Sequence, residues 1–275
     1  MLQNIRHSPL RRSRLQKNTM PQNTYWLAIG REGLLVENDN RLPCTAEPPM
    51  PMQPSSRQIN LPDLDGKACK AFRPADNYDK KRFKAIDLRA SFDILPHHHY
   101  NMAGKAAELL YWDDNTHFCG RCGTALEPHT DISKRCPQCG KIVWPLLATA
   151  IIVAVTRGDN DEEILLVQSK NFRGDYLGLV AGFVETGETL EECVKREVKE
   201  ETGLDICDLR YFASQPWPYP CGLMVGFKAH YAGGTITLQR SELNKGGWYR
   251  RDNLPAIPGP VSLARRLIDD WKNKV

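Results

Sequence analysis

Residues 182–204 read GFVETGETLEECVKREVKEETGL. Glu197, Glu200 and Glu201 fall at i, i+3 and i+4, so on a helix their carboxylates share one face, with neighbouring Cβ atoms about 5–6 Å apart. Like charges at that spacing repel. Hard divalent cations would neutralise them, and oxygen ligands suit Mg²⁺ or Mn²⁺. The flanking residues predict a loop and then a helix. Thr189 can serve as N-cap, with Glu192 completing a capping box. Gly203 is a C-terminal stop, and Gly182 and Gly187 let the preceding loop turn tightly beside a ligand. The plainer alternative is an acidic, solvated helix paired internally through Lys195 and Lys199.

Spacing decides between them. Gly182, Glu188, Arg196-Glu197, Glu200-Glu201 and Gly203 occupy the fixed positions of G-x5-E-x7-R-E-U-x-E-E-x-G-U, with Val198 and Leu204 at the apolar U positions. The segment resembles the metal-binding loop–helix of the Nudix hydrolases. That resemblance implies hydrolysis of a nucleoside diphosphate linked to another moiety.

A second pattern lies upstream. HFCGRCG and CPQCG place Cys119/Cys122 and Cys136/Cys139 as two C-x2-C knuckles. Four thiolates at this spacing complete a tetrahedral Zn²⁺ shell with no open position, so the expected role is structural, clipping the linker between domains. Cys44, Cys69, Cys193, Cys207 and Cys221 are scattered, giving nine cysteines in all. An odd, dispersed set points to a reducing, cytoplasmic setting rather than a disulfide framework.

The chain has 275 residues, 41% hydrophobic and 25% charged, with a net charge of +4. These values are ordinary for a globular protein and suit an anionic substrate without arguing for nucleic acid. No apolar run is long enough for a membrane span. Residues 1–20 carry Arg6, Arg11, Arg12, Arg14 and Lys17 and no acid. A disordered basic tail is expected, with a transit peptide as the alternative.

The expected organisation has an N-terminal domain over 21–114, a zinc ribbon over 115–142 and a hydrolase domain over 143–275. In the first, TYWLAIGREGLLV reads as two strands around a Gly turn and 83–88 as a strand. The prolines of 43–62 read as a loop, His97, His98 and His99 as a polar loop, and MAGKAAELLYW (102–112) as a helix. In the last, ATAIIVAV, EILLVQS, LGLVAGFVE, LRYFASQPW, LMVGFKAHYA and TITLQ read as strands and VSLARRLIDDWK as a closing helix. The class is α/β: strands with an interleaved helix predict a sandwich with a mixed sheet, which the resemblance makes a Nudix α/β/α sandwich, preceded by the ribbon and a small α+β domain.

Past the box, Ser214-Gln215-Pro216-Trp217-Pro218-Tyr219-Pro220 alternates proline with aromatics. Such a string cannot form an interior strand. It makes a stiff loop whose flat rings can stack a base, each stack worth about 1–3 kcal/mol. The string is similar to S-Q-P-W-P-F-P-x-S, which marks the NADH pyrophosphatase subfamily, and the ribbon, AGFVETGE and ARRLIDDW match that subfamily too. Gly222 stands where the pattern has Ser, WPLLAT replaces its Y-P-R-x-x-P, and Gly246-Gly247 replace Glu-Ala.

The resemblance implies metal ligands at Glu197, Glu200, Glu201 and Glu242 and the Ala181 carbonyl. It implies Glu201 as the residue that orients or deprotonates water, and Arg196 as the partner that fixes a box carboxylate. Substrate contacts follow at Phe183, Gln215, Trp217, Tyr219 and, from a dimeric arrangement, Trp144. The implied reaction is hydrolysis of NAD(H) to AMP and nicotinamide mononucleotide, with NAD-capped RNA as a further substrate and a homodimer as the assembly. Two alternatives stand beside it: a Nudix hydrolase for ADP-ribose or a diadenosine polyphosphate, and a non-catalytic nucleotide- or RNA-binding protein. The intact carboxylate cluster argues against the latter. Arg250, Arg251, Arg265 and Arg266 read as solvated surface.

Overall fold

The computed structural model describes residues 23–172 and 174–273; the basic stretch 1–20 lies outside them. The N-terminal unit is a six-stranded sheet with one covering helix. Its strands are β1 (Thr24–Gly30), β2 (Gly33–Glu37), β3 (Cys44–Thr45), β4 (Ile59–Leu64), β5 (Lys67–Phe72) and β6 (Phe83–Ile86), in the order β4-β5-β1-β2-β6 with β3 beside β1. Strand alternation splits the apolar residues between two faces. Leu27, Ile29, Leu34 and Leu61 pack under α1 (His97–Asn115), against Tyr100, Ala103, Ala106 and Leu110. Trp26, Ala28, Leu35, Phe72 and Phe83 form a second cluster.

The histidine run is not the expected polar loop. His97, His98 and His99 open α1, directly after Pro96 as N-cap. His98 Nε2 and His99 Nε2 each bond one oxygen of Asp65, at 2.8 and 2.7 Å. Proline tolerates the start of a helix, where its missing N–H is no loss.

The ribbon consists of β7 (Glu127–Thr130), β8 (Ser133–Arg135) and β9 (Ile142–Val143), antiparallel in that order. Lys134 ties it to α1. Its Nζ pairs with Asp113 Oδ1 at 2.9 Å and donates to the carbonyls of Asp113 and Thr116, both at 2.8 Å. A buried cation at a helix C-terminus satisfies carbonyls that have no partner within the helix.

The last unit holds β10 (Ala148–Arg157), β11 (Glu163–Ser169), β12 (Val180–Phe183), α2 (Leu190–Thr202), β13 (Asp205–Trp217), β14 (Gly222–Gly233), β15 (Leu243–Arg250) and α3 (Leu263–Lys272). The sheet order is β13-β14-β10-β11-β15 with β12 on β10; β10 runs parallel to β14 and antiparallel to β11 and β12. The sheet is therefore mixed, and α2 and α3 cover its two faces. Ile151, Val153, Val155, Leu165 and Val167 meet Cys193, Val194 and Val198 of α2. Ile152, Ala154, Ile164 and Leu166 meet Leu263, Leu267, Ile268 and Trp271 of α3. Burial on both faces is why ATAIIVAV is an unbroken apolar run rather than an alternating one.

The expected loop over 43–62 holds β3 and the start of β4, because Ile59 and Leu61 alternate into the core. Two further expectations change. TITLQ is not a strand. Instead Thr237 N donates to Thr202 O at 2.8 Å and Gln239 N to Glu201 O at 2.9 Å, so 235–239 caps the carbonyl end of α2. Pro216 is not in a loop but within β13, which is an edge strand and needs no N–H on its free side.

Zinc completes the ribbon. All four thiol sulfurs lie within 4.8 Å of one another, with Cys119–Cys139 at 3.6 Å and Cys122–Cys136 at 3.5 Å. A tetrahedral Zn²⁺ with bonds near 2.3 Å sets its sulfurs about 3.8 Å apart. Arg121 N and Cys139 N point at Cys119 Sγ and Cys136 Sγ, each at 3.4 Å, and the Arg121 N–H holds the Cys119 thiol below its ordinary range. Cys136→Ser is expected to lose the single zinc, measured by metal analysis, and to lower the melting temperature; an unchanged zinc content would contradict the assignment.

Candidate functional site

One cleft of about 610 Å³ gathers most of the expected residues: Ala181, Phe183, Arg196, Glu197, Glu200, Glu201, Trp217, Tyr219 and Glu242 line it together. Strand register explains the convergence. At the start of β10, Ala148 pairs with Gly222 on one side and Ala150 with Phe183 on the other. The aromatic loop ahead of β14 and the glycine loop after β12 therefore flank one end of one strand. The cap that 235–239 places on α2 brings Glu242 in from the third side.

The box folds as its local chemistry dictates. Glu192 N donates to Thr189 Oγ1 at 3.2 Å and Thr189 N to Glu192 Oε2 at 2.7 Å, closing the capping box. Gly203 ends the helix at φ 75°. Arg196 organises the acidic face. Its Nη2 donates to Glu188 Oε1 at 2.6 Å, and its Nη1 donates to Glu197 Oε1 at 2.9 Å and Glu200 Oε2 at 3.1 Å. That guanidinium, with the Glu185 N–H, holds Glu188 down at about 2. Gly182 has a steric reason to be glycine. A Cβ there would lie 2.0 Å from the Glu197 carboxyl carbon, so the carboxylate sits where any other side chain would stand.

Glu201 is the outlier. It is 5% exposed, and among the described residues no donor is bonded to its carboxylate. Burial first, then the charges of Glu197, Glu242 and Glu200, push it up to about 8. Burial also raises Glu197, against the pull of Arg196. No three of the four carboxylates bring oxygens within 4.8 Å of one another, because Arg196 stands among them as counter-ion. A buried, unpartnered carboxylate ringed by like charges nevertheless fits a hard divalent cation, which is the chemistry these donors lack.

Phe183, 66% exposed, stands at the rim. Trp217 and Tyr219 meet edge to face at 5.0 Å and 75°. Gln215 and Trp144, the latter expected from a dimeric arrangement, do not line this cleft within the single chain. Gln215 Nε2 donates to Val261 O at 2.7 Å, turning its amide to the segment before α3. Trp144 lines a separate apolar hollow with Tyr111, Ile132, Leu146 and Leu147. Arg251 lies over the Trp271 ring at 4.9 Å and Arg265 pairs with Asp269. One residue missed in the sequence is Arg89, whose guanidinium lies over Trp217 and Tyr219; nothing in its neighbourhood in the chain signals that contact.

Comparison with known proteins places this arrangement. A NUDIX domain model matches residues 146–270, an NADH pyrophosphatase-like rudimentary NUDIX domain model matches 23–112, and an NADH pyrophosphatase zinc ribbon model matches 114–143. The chain is 42% identical over 187 residues to the NAD-capped RNA hydrolase NudC of Deinococcus radiodurans, covering 67% of each chain. It is 45% identical over 172 residues to the NudC of Pectobacterium carotovorum (62% of this chain, 65% of the relative) and 42% identical over 184 residues to that of Chromobacterium violaceum (66% and 68%). The chain belongs to the Nudix hydrolase family, in its NADH pyrophosphatase-like branch with a zinc ribbon. The resemblance read from the box, the ribbon and the proline–aromatic string holds at that level, and with it structural zinc and catalytic Mg²⁺ or Mn²⁺.

The Glu201 shift carries a stability sign. Its carboxyl titrates at 4.5 when unfolded and at about 8 in the fold, so between those values the folded chain holds a proton that the unfolded chain has released. Stability without a divalent cation therefore falls as pH rises across that window. With no Mg²⁺ or Mn²⁺ added, Glu201→Gln should melt at least about 2 °C above the unaltered chain at pH 8, a shift of about 1 kcal/mol in a domain of this size, and the gap should close toward pH 5. Identical melting curves at both pH values would refute the strained carboxylate.

Proposed function

We propose that this protein hydrolyses the pyrophosphate bond of NAD(H) to AMP and nicotinamide mononucleotide and removes NAD caps from RNA 5′ ends. One observation carries the reading: the carboxylate cluster and the paired rings Trp217 and Tyr219 line a single cleft. Such a cleft can grip a diphosphate at one end and a planar ring at the other. The relatives' names, NAD-capped RNA hydrolase, support the same substrate class.

In this reading Glu197, Glu200, Glu201, Glu242 and the Ala181 carbonyl would hold Mg²⁺ or Mn²⁺. When bound, such an ion screens the diphosphate charge and acidifies a water. Glu201 orients that water and accepts its proton, the task its sheltered carboxylate suits. Arg196 fixes the rotamers of Glu197 and Glu200 and anchors Glu188. Phe183 supplies a ring face at the rim.

The scattered free thiols support a reducing, cytoplasmic setting, and the proposed assembly is a homodimer. No helix among the described residues is long and apolar enough to cross a membrane. The dimer is supported by Trp144, Leu146 and Leu147, which stand 53%, 84% and 52% exposed beside Cys221, itself on the cleft wall. An apolar patch of this kind marks an association surface.

Products from NADH, NAD⁺, ADP-ribose and NAD-capped RNA, separated after incubation with Mg²⁺ or Mn²⁺, test the reaction. The two dinucleotides and the capped RNA should be cleaved at the pyrophosphate in preference to ADP-ribose, and Glu201→Gln should lower kcat at least about 100-fold, as loss of a positioned acid–base group does. A preference for ADP-ribose, or near-normal turnover in that variant, would overturn the proposal. Light scattering tests the assembly: Leu146→Glu should shift the protein from dimer to monomer, and a monomeric unaltered chain would contradict it.

A further inference from the structure

The proline–aromatic loop is poor in backbone ties. Pro216, Pro218 and Pro220 donate no N–H. Trp217 ends the edge strand β13, paired with Gly222, and Tyr219 N reaches only back to Trp217 O at 2.7 Å. Past the last ladder pair, Trp217 with Gly222, side chains add what the backbone does not supply to orient the rings. Those side chains come from the N-terminal unit.

Three contacts clasp three consecutive loop residues. The Arg89 guanidinium carbon lies 5.1 Å from the Trp217 ring centroid and 4.3 Å from that of Tyr219. The Tyr219 hydroxyl bonds the Tyr100 hydroxyl of α1 at 3.0 Å. One helical turn further, Gly104 admits the buried Pro218 ring: a Cβ on that glycine would sit 3.0 Å from Pro218 Cγ. Tyr100 and Gly104 are i and i+4 and so share one face of α1.

The supporting side is itself pinned. Asp87 Oδ1 accepts from Arg89 N at 2.9 Å and from Ala90 N at 3.0 Å, fixing the backbone that carries the guanidinium. Phe92 packs edge-on against Tyr100, with centroids 5.3 Å apart, and so joins the Arg89 turn to α1. A planar cation over two ring faces favours one mutual arrangement of those rings.

We propose that the N-terminal unit sets substrate affinity by bracing this loop, with Arg89 as the positioning residue that holds Trp217 and Tyr219 ready to stack a ring of the dinucleotide. The inference rests on the dinucleotide reading of the cleft. Arg89 acts through the two rings and not on the phosphates.

Steady-state kinetics with NADH test it. Arg89→Ala should raise KM roughly 5-fold, with kcat within about 2-fold and the melting temperature unchanged, since a cation–π contact at an exposed site is weak and local. Arg89→Lys should recover part of the loss, because it keeps the charge and not the plane. Gly104→Leu, which displaces the Pro218 ring from the other side, should show the same split. Arg89→Ala combined with Tyr219→Leu should raise KM no further than Tyr219→Leu alone. Additive effects in that pair would mean that Arg89 meets substrate directly and would overturn the brace. So would an unchanged KM, or a parallel fall in kcat and melting temperature. If the unaltered chain does not cleave NADH, the proposed function fails first, and the two failures are distinct.

Discussion

The site depends on one electrostatic constraint: several carboxylates are held close together, and one of them has no hydrogen-bond donor among the described residues. Arg196 pairs with Glu188, Glu197 and Glu200 from one side, one positive charge shared among three carboxylates. Glu201 is left buried, facing the charges of its neighbours. Once ionised, that carboxylate opposes folding unless a cation enters; below about pH 8 it keeps a proton instead. The capping box, the glycine at 182 and the cap that 235–239 places on α2 all serve to hold that face in register.

The sheet turns this local demand into a substrate-sized cleft. Because β10 is paired with β12 and β14, the metal loop and the aromatic loop emerge at one strand end. The two helices bury alternate residues of the same strands. The ribbon, locked to α1 by Lys134 and Asp113, joins the catalytic unit to a sheet that holds none of the expected metal ligands of the cleft. The turn and helix that cover that sheet present Arg89, Tyr100 and Gly104 to the loop.

Much of this is legible in the chain because the informative patterns are local. The box (182–204), the two knuckles (119–139) and the unbroken apolar strands each lie within one short continuous stretch of chain, so spacing reveals them. Expectations went astray where a distant partner decides. The TITLQ segment has strand composition but is recruited to satisfy the carbonyls of α2. His97–His99 read as a loop because the partner of His98 and His99, Asp65, lies on the β4–β5 turn. Gln215 belongs to the proline–aromatic string yet turns toward Val261. Arg89 carries no signal at all, since its partners lie in another unit.

The most direct measurement is anomalous diffraction from crystals grown with Mn²⁺ and a non-hydrolysable NAD analogue. The account predicts manganese at Glu197 and Glu201, beside the diphosphate, with a ring of the analogue against Trp217 or Tyr219. Carboxylates free of metal, with the diphosphate bound elsewhere, would contradict it.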